Sequence, residues 1–155
     1  MILIALGANL PSVAGRPSET LQAALSALQA NGILPVKVSQ FRETQAWPDP
    51  SDPPYMNAVA QIETALDPQA LLARLHEIER QFGRERLVRN APRTLDLDIV
   101  DYKGPVEEGP PVLPHPRMQD RAFVLAPLAE IAPGWRHPVL GMTAGEMLAG
   151  IAARD

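Results

Sequence analysis

The unbroken apolar run at residues 1–6 ends at Gly7, the pattern of a buried strand. Residues 18–30 place Leu21, Ala24, Leu25 and Leu28 on one face before Gly32, which predicts a helix. A strand is expected at 36–41. Residues 57–64 then set Ala58, Ala60 and Ile62 against Asn57, Val59 and Gln61, a strand with two distinct faces. Asp67-Pro68 is a strong helix start, and Leu71, Leu75, Ile78 and Phe82 form the apolar stripe that follows, up to Gly83. A last strand at 95–102 completes the order βαββαβ. The fold class expected is therefore α+β: a ferredoxin-like antiparallel sheet with two helices packed on one face and the other face left for extra elements or a ligand. Two additional C-terminal helices are expected, one at 122–131 despite Pro127 and one begun by the capping box Thr143-Ala144-Gly145-Glu146.

Composition limits the class. At 155 residues and 46% hydrophobic, the chain suits one domain with a real core, so 1–155 is read as a single domain. The net charge of −4, from 14 basic and 18 acidic residues, offers no general attraction to nucleic acid or to a membrane, and neither is expected as a partner. Any polyanion must be held by a local cluster. The absence of cysteine removes disulfides and thiolate metal sites and agrees with a cytoplasmic location. No signal peptide is expected from the short N-terminal run, and no apolar stretch approaches the ~20 residues that span a bilayer. With 17 prolines, long irregular loops are expected at 47–55 and 103–117.

The chemistry concentrates in Arg93-Thr94-Leu95-Asp96-Leu97-Asp98-Ile99-Val100. Strand alternation turns Leu95, Leu97 and Ile99 to the core and projects Asp96 and Asp98 together from the opposite face. A solvated strand face would explain one aspartate, but aspartate is a poor strand former, and two in three positions carry a local cost. Paired hard oxygen ligands suit magnesium that also holds substrate phosphates. Upstream, Gly83 to Arg93 carries Arg84, Arg86, Arg89 and Arg93, whose donor forks match phosphate oxygens. An arginine-rich loop by itself is more often a surface salt-bridge loop; beside paired aspartates the balance reverses.

A flat heterocycle needs aromatic faces and an amide to read its edge, which Tyr55, Phe123 and Asn57 can supply, although Phe123 taken singly reads as a core residue. His115 between two prolines has no second histidine at metal spacing, so zinc is rejected. Gly7-Ala8-Asn9-Leu10 lacks the lysine and spacing of a P-loop, and no serine sits on a nucleophile elbow. Two rivals stay open. A ferredoxin-like RNA-binding module would call for a basic, aromatic sheet, whereas the chain is acidic and 5% aromatic. A kinase that moves only the γ-phosphate would use the same charges.

With these residues in view, the chain resembles the 6-hydroxymethyl-7,8-dihydropterin pyrophosphokinase family over nearly its whole length. The likeness rests on Leu6-Gly7-Ala8-Asn9-Leu10, Tyr55-Met56-Asn57-Ala58, residues 93–100 and residues 113–133, of which Pro92-Arg93-Thr94-Leu95-Asp96-Leu97-Asp98 is the most specific. It implies pyrophosphate transfer from ATP to the hydroxymethyl group of the pterin, with release of AMP, in folate biosynthesis. Asp96 and Asp98 would bind two Mg2+ ions. The pterin would stack between Tyr55 and Phe123, read by Asn57 and by backbone groups near Thr44 and Trp47. Arg84 and Arg93 would be the catalytic arginines, and Arg86 and Arg89 would lie in a loop closing over ATP. His76, Glu79, Ile99, His115 and Arg121 would line the nucleotide site. The partners implied are small-molecule substrates, and a monomer is expected. The chain departs from some relatives at Asn90, at Gln45-Ala46-Trp47 and at Pro116, and no side chain is assigned as general base.

Overall fold

Alternation along the first strand decides how the layers stack. In β1 (Ile2–Ala8), Ile2, Ile4, Leu6 and Ala8 join one buried cluster, while Leu3 and Ala5 join a second on the opposite side of the sheet. A strand with two apolar faces must be covered twice. The computed structural model, which describes residues 1–45, 49–51, 53–83 and 94–154, is an α+β fold in which helices cover both faces of an antiparallel sheet.

Helices α1 (Pro17–Ala30) and α2 (Pro68–Gln81) cover the first face. They bury Leu21, Ala24 and Leu28, and Leu71, Leu75 and Ile78. As the sequence predicts, Asp67 caps α2, its Oδ1 accepting from Ala70 N–H at 2.8 Å, with Pro68 in the first turn. Helices α3 (Ala122–Ile131) and α4 (Ala144–Arg154) lie on the second face, where Val124, Leu125, Leu128 and Met147 pack with Leu3 and Val59. The predicted capping box of α4 is formed: Glu146 N–H donates to Thr143 Oγ1 and Thr143 N–H to Glu146 Oε1.

The strands run in the order β2 (Ile33–Val38), β4 (Tyr55–Thr64), β1, β5 (Asp96–Tyr102), with β3 (Arg42–Thr44) also paired to β4. Two expectations are corrected. The strand expected at 36–41 starts earlier and ends at Val38, and a further short strand, β3, follows it; the ten-residue β4 serves both in turn, with a register shift between Pro35 and Lys37. Proline cannot donate to a ladder. Between the two strands the Ser39 side chain takes over, its Oγ accepting from Val59 N–H at 3.0 Å. The loop expected at 103–117 contains a small hairpin, β6 (Glu107–Glu108) with β7 (Val112–Leu113).

β5 holds a bulge. Ile4 pairs with Ile99 but Leu3 pairs with Asp101, so Val100 is the extra residue and both Val100 and Asp101 reach the second face. There Trp135 Nε1 donates to Asp101 Oδ2 at 2.9 Å, in a buried contact.

Candidate active site

α3 and α4 cover only part of the second sheet face, and a cavity of about 620 Å3 occupies the rest. Its floor follows from strand register. Gly7 has Asn57 of β4 on one side and Asp96 of β5 on the other, and Ala5 has Val59 and Asp98. Small residues on the central strand thus leave space between an amide and two carboxylates. A Cβ built on Gly7 would lie 2.9 Å from Asn57 Oδ1, closer than atoms pack.

The remaining walls come from three other segments. Thr44 of β3 accepts from Asn57 Nδ2 at 2.9 Å, which fixes the amide. Tyr55 opens β4 on the same side. Arg121 and Phe123 begin α3, with the Arg121 guanidinium 5.5 Å from the Phe123 ring centroid. Phe123 is therefore a cavity residue, 37% exposed, and not the core residue that its apolar neighbours suggest. His115 completes the wall. Its backbone N–H donates to Val100 O and its ring Nδ1 accepts from Arg117 N–H, which leaves Nε2 as the protonated nitrogen of a neutral ring. Burial pushes the His115 pKa down to about 4; nearby Arg121 adds to this and Asp96 opposes it.

Eight of the expected site residues, Thr44, Tyr55, Asn57, Asp96, Asp98, His115, Arg121 and Phe123, line this one cavity. Three others stand apart from it. Ile99 is on the opposite face, in the core beneath α1 and α2. Glu79 of α2 is buried and accepts from Leu97 N–H at 2.7 Å through Oε2, satisfying the outer edge of β5 between the two aspartates; His76 precedes it by one turn. Trp47, Arg84, Arg86, Arg89 and Arg93 lie outside the described residues.

Sequence reasoning gave no role to Gly7 and Ala5, to Asn9, or to Arg117 and Asp120 at the rim. Asn9 is buried and its Nδ2 donates to Pro53 O at 3.0 Å, tethering the proline-rich loop beside Tyr55. The signal for the floor was present in β1, where Leu3, Ala5 and Gly7 shrink stepwise along one face. The rim residues had no such signal, because a short 3-10 turn at Met118–Asp120 and not a strand presents them.

Asp96 and Asp98 fit magnesium as a donor set. Among the described residues no third histidine or acid joins them in a metal-holding cluster. Two carboxylates leave most of an octahedral shell to phosphate oxygens and water, which is how magnesium is commonly held with nucleotides.

The model of the family described as 7,8-dihydro-6-hydroxymethylpterin-pyrophosphokinase matches residues 3–133. The chain belongs to this family. Among pyrophosphokinases of the family, one from Synechocystis, named 2-amino-4-hydroxy-6-hydroxymethyldihydropteridine pyrophosphokinase, is 40% identical over 143 residues, covering 91% of this chain and 71% of its own. A protein of the same name from Haemophilus influenzae is 44% identical over 131 residues, covering 83% of this chain and 79% of its own. The folic acid synthesis protein fol1 of Pneumocystis carinii is 33% identical over 155 residues, and this chain spans 20% of it. The matched span 3–133 contains every residue of the cavity wall named above.

Proposed function

We propose that the cavity binds 6-hydroxymethyl-7,8-dihydropterin beside ATP, and that a pyrophosphate group passes between them. As a member of its family the chain is a pyrophosphokinase of folate biosynthesis. The observation that carries the site assignment is the cross-strand row Asn57, Gly7, Asp96, which puts an amide able to read a heterocycle edge and a pair of carboxylates on one open floor.

In this reading Tyr55 and Phe123 sandwich the pterin, and Asn57, held by Thr44, hydrogen-bonds its edge. Backbone groups near Thr44 and Trp47 close the slot. Asp96 and Asp98 hold two Mg2+ ions, which when bound offset phosphate charge and polarise the phosphorus under attack. Arg84 and Arg93 contact the transferring group, Arg86 and Arg89 close over ATP, and His115 and Arg121 complete the nucleotide side of the cavity, from which His76, Glu79 and Ile99 stand apart. His115, neutral at pH 7, supplies an N–H donor without adding charge.

The pterin hydroxymethyl oxygen attacks the β-phosphorus of ATP. The bond from that phosphorus to the oxygen bridging the α-phosphate breaks, AMP leaves, and the hydroxyl proton passes to solvent. What these side chains contribute is in-line positioning and charge at the transferring group, so no general base is assigned.

The strand order β2-β4-β1-β5, with α1 and α2 as the two crossovers, supports a ferredoxin-like sheet in a single domain. A monomer is the oligomeric state in this reading. No described helix is long and apolar enough to cross a membrane. An ATP-consuming step in a chain without cysteine supports a cytoplasmic location. Incubation with ATP, magnesium and the pterin tests the assignment. AMP formed in step with a pterin diphosphate supports it, and ADP would point to γ-phosphate transfer instead.

A further inference from the structure

Glu130 lies outside the cavity yet is joined to it through β3. From the last turn of α3, its Oε1 accepts from Arg42 Nη2 at 2.8 Å and its Oε2 from Gln40 N–H at 2.9 Å. Both carboxylate oxygens therefore hold the stretch that leads into β3. Arg42 pairs with Asn57 across β3 and β4, and two residues later Thr44 receives the Asn57 amide. Phe123 and Glu130 are seven residues apart on α3, close to two turns, and so share a face of that helix. One helix thus carries the aromatic wall at its start and a clip on the opposite wall at its end. A second tie, Lys37 Nζ to Ile131 O at 3.4 Å, joins the end of α3 to β2, the strand before β3.

β3 needs such support. It is three residues long, with β4 as its ladder partner, too short to hold its own position firmly.

We propose that Glu130 is a positioning residue for the pterin slot, clipping β3 to α3 so that the Thr44–Asn57 pair and Phe123 keep one spacing. The inference rests on the assignment of the cavity as the pterin site. A partly exposed ion pair contributes little to global stability. Here, however, a guanidinium and a backbone N–H converge on one carboxylate, a charge-assisted arrangement with defined geometry. What it controls is the width of a slot. The Arg42 guanidinium, with Gln40 N–H, holds the Glu130 carboxyl below the usual carboxylate range, so the clip is ionised at neutral pH.

The test uses the full chain with Glu130→Ala, Glu130→Gln, Arg42→Ala and the Arg42→Ala/Glu130→Ala double variant. Binding of fluorescent 6-hydroxymethylpterin is titrated with magnesium and a non-hydrolysable ATP analogue present, and KM for each substrate, kcat and Tm are measured. Glu130→Ala is expected to weaken pterin binding about five- to tenfold, the size of one lost charge-assisted hydrogen bond, with KM for ATP and kcat held within about twofold. Glu130→Gln keeps one carbonyl oxygen for two donors and should fall between. The double variant should bind no worse than the poorer single variant, since both act through one contact. Glu19→Ala, which breaks an exposed ion pair with Arg16 on α1, should leave pterin binding unchanged. Unchanged pterin binding in Glu130→Ala, or equal losses for both substrates together with a fall in Tm, would overturn the inference. Failure of the unaltered protein to bind the pterin would instead overturn the site assignment beneath it.

Discussion

Gly7 and Asn57 face each other across β1 and β4, and the space where a Gly7 side chain would stand is bounded 2.9 Å away by the Asn57 amide oxygen. The glycine is needed for room and not for backbone freedom. Gly7→Ala should push the amide out of register with Thr44 and raise the pterin KM by roughly tenfold, equivalent to one lost hydrogen bond. Steady-state kinetics with each substrate varied checks this; a change confined to KM for ATP would contradict it.

Asp96 and Asp98 project from one strand face two positions apart. Asp96→Asn and Asp98→Asn should each lower kcat by at least about a thousandfold, because phosphate charge in the transition state is left unbalanced. Because an amide keeps the size of the carboxylate, the fold should persist while the rate falls. Thermal melts with and without magnesium, beside the rate assay, separate the two effects. Full activity in either variant would sink the metal assignment.

His115 makes stability depend on acid. Its folded-state pKa is about 4, against about 6.5 unfolded, so the unfolded chain binds the extra proton first as pH falls. Stability should therefore be constant above about pH 7 and decline between 6.5 and 4, by on the order of 3 kcal/mol from this group. His137 adds in the same direction: its pKa is lowered by burial against the opposing pull of Asp101, and its Nδ1 accepts from the N–H groups of Val139 and Leu140. Urea unfolding of the metal-free protein at pH 7, 5 and 4 measures the slope, and His115→Asn should flatten it.

The Trp135–Asp101 contact anchors the bulge that ends β5. Trp135→Phe keeps one aromatic ring but loses the rest of the indole, and leaves a buried carboxylate, whose other oxygen has no hydrogen-bond partner among the described residues, without its indole donor. A loss of about 2–3 kcal/mol is expected in chemical denaturation. Substrate KM values should stay close to those of the unaltered chain, because neither Trp135 nor Asp101 lines the cavity.

How far the chain could be read by itself follows from the range of the forces involved. Strand alternation placed Asp96 with Asp98 and separated Asn57 from Ala58, because side-chain direction is local backbone geometry. The Asp67-Pro68 start and the Thr143–Glu146 capping box were legible for the same reason: both partners lie within one turn. Phe123 was ambiguous in sequence, since an apolar residue in an apolar helix faces the core or a cavity only according to what packs beside it. The end of β2 at Val38 and the separate strand β3 depended on pairing with β4, which is distant in the chain. The opposition of Asn57, Gly7 and Asp96 depended on register among three strands. The Glu130 clip joins residues 88 apart in the chain. Local periodicity thus determined which residues carry chemistry and which way they point, while their meeting around one cavity was decided by tertiary packing, because cross-strand register and helix docking are set by burial of the whole core.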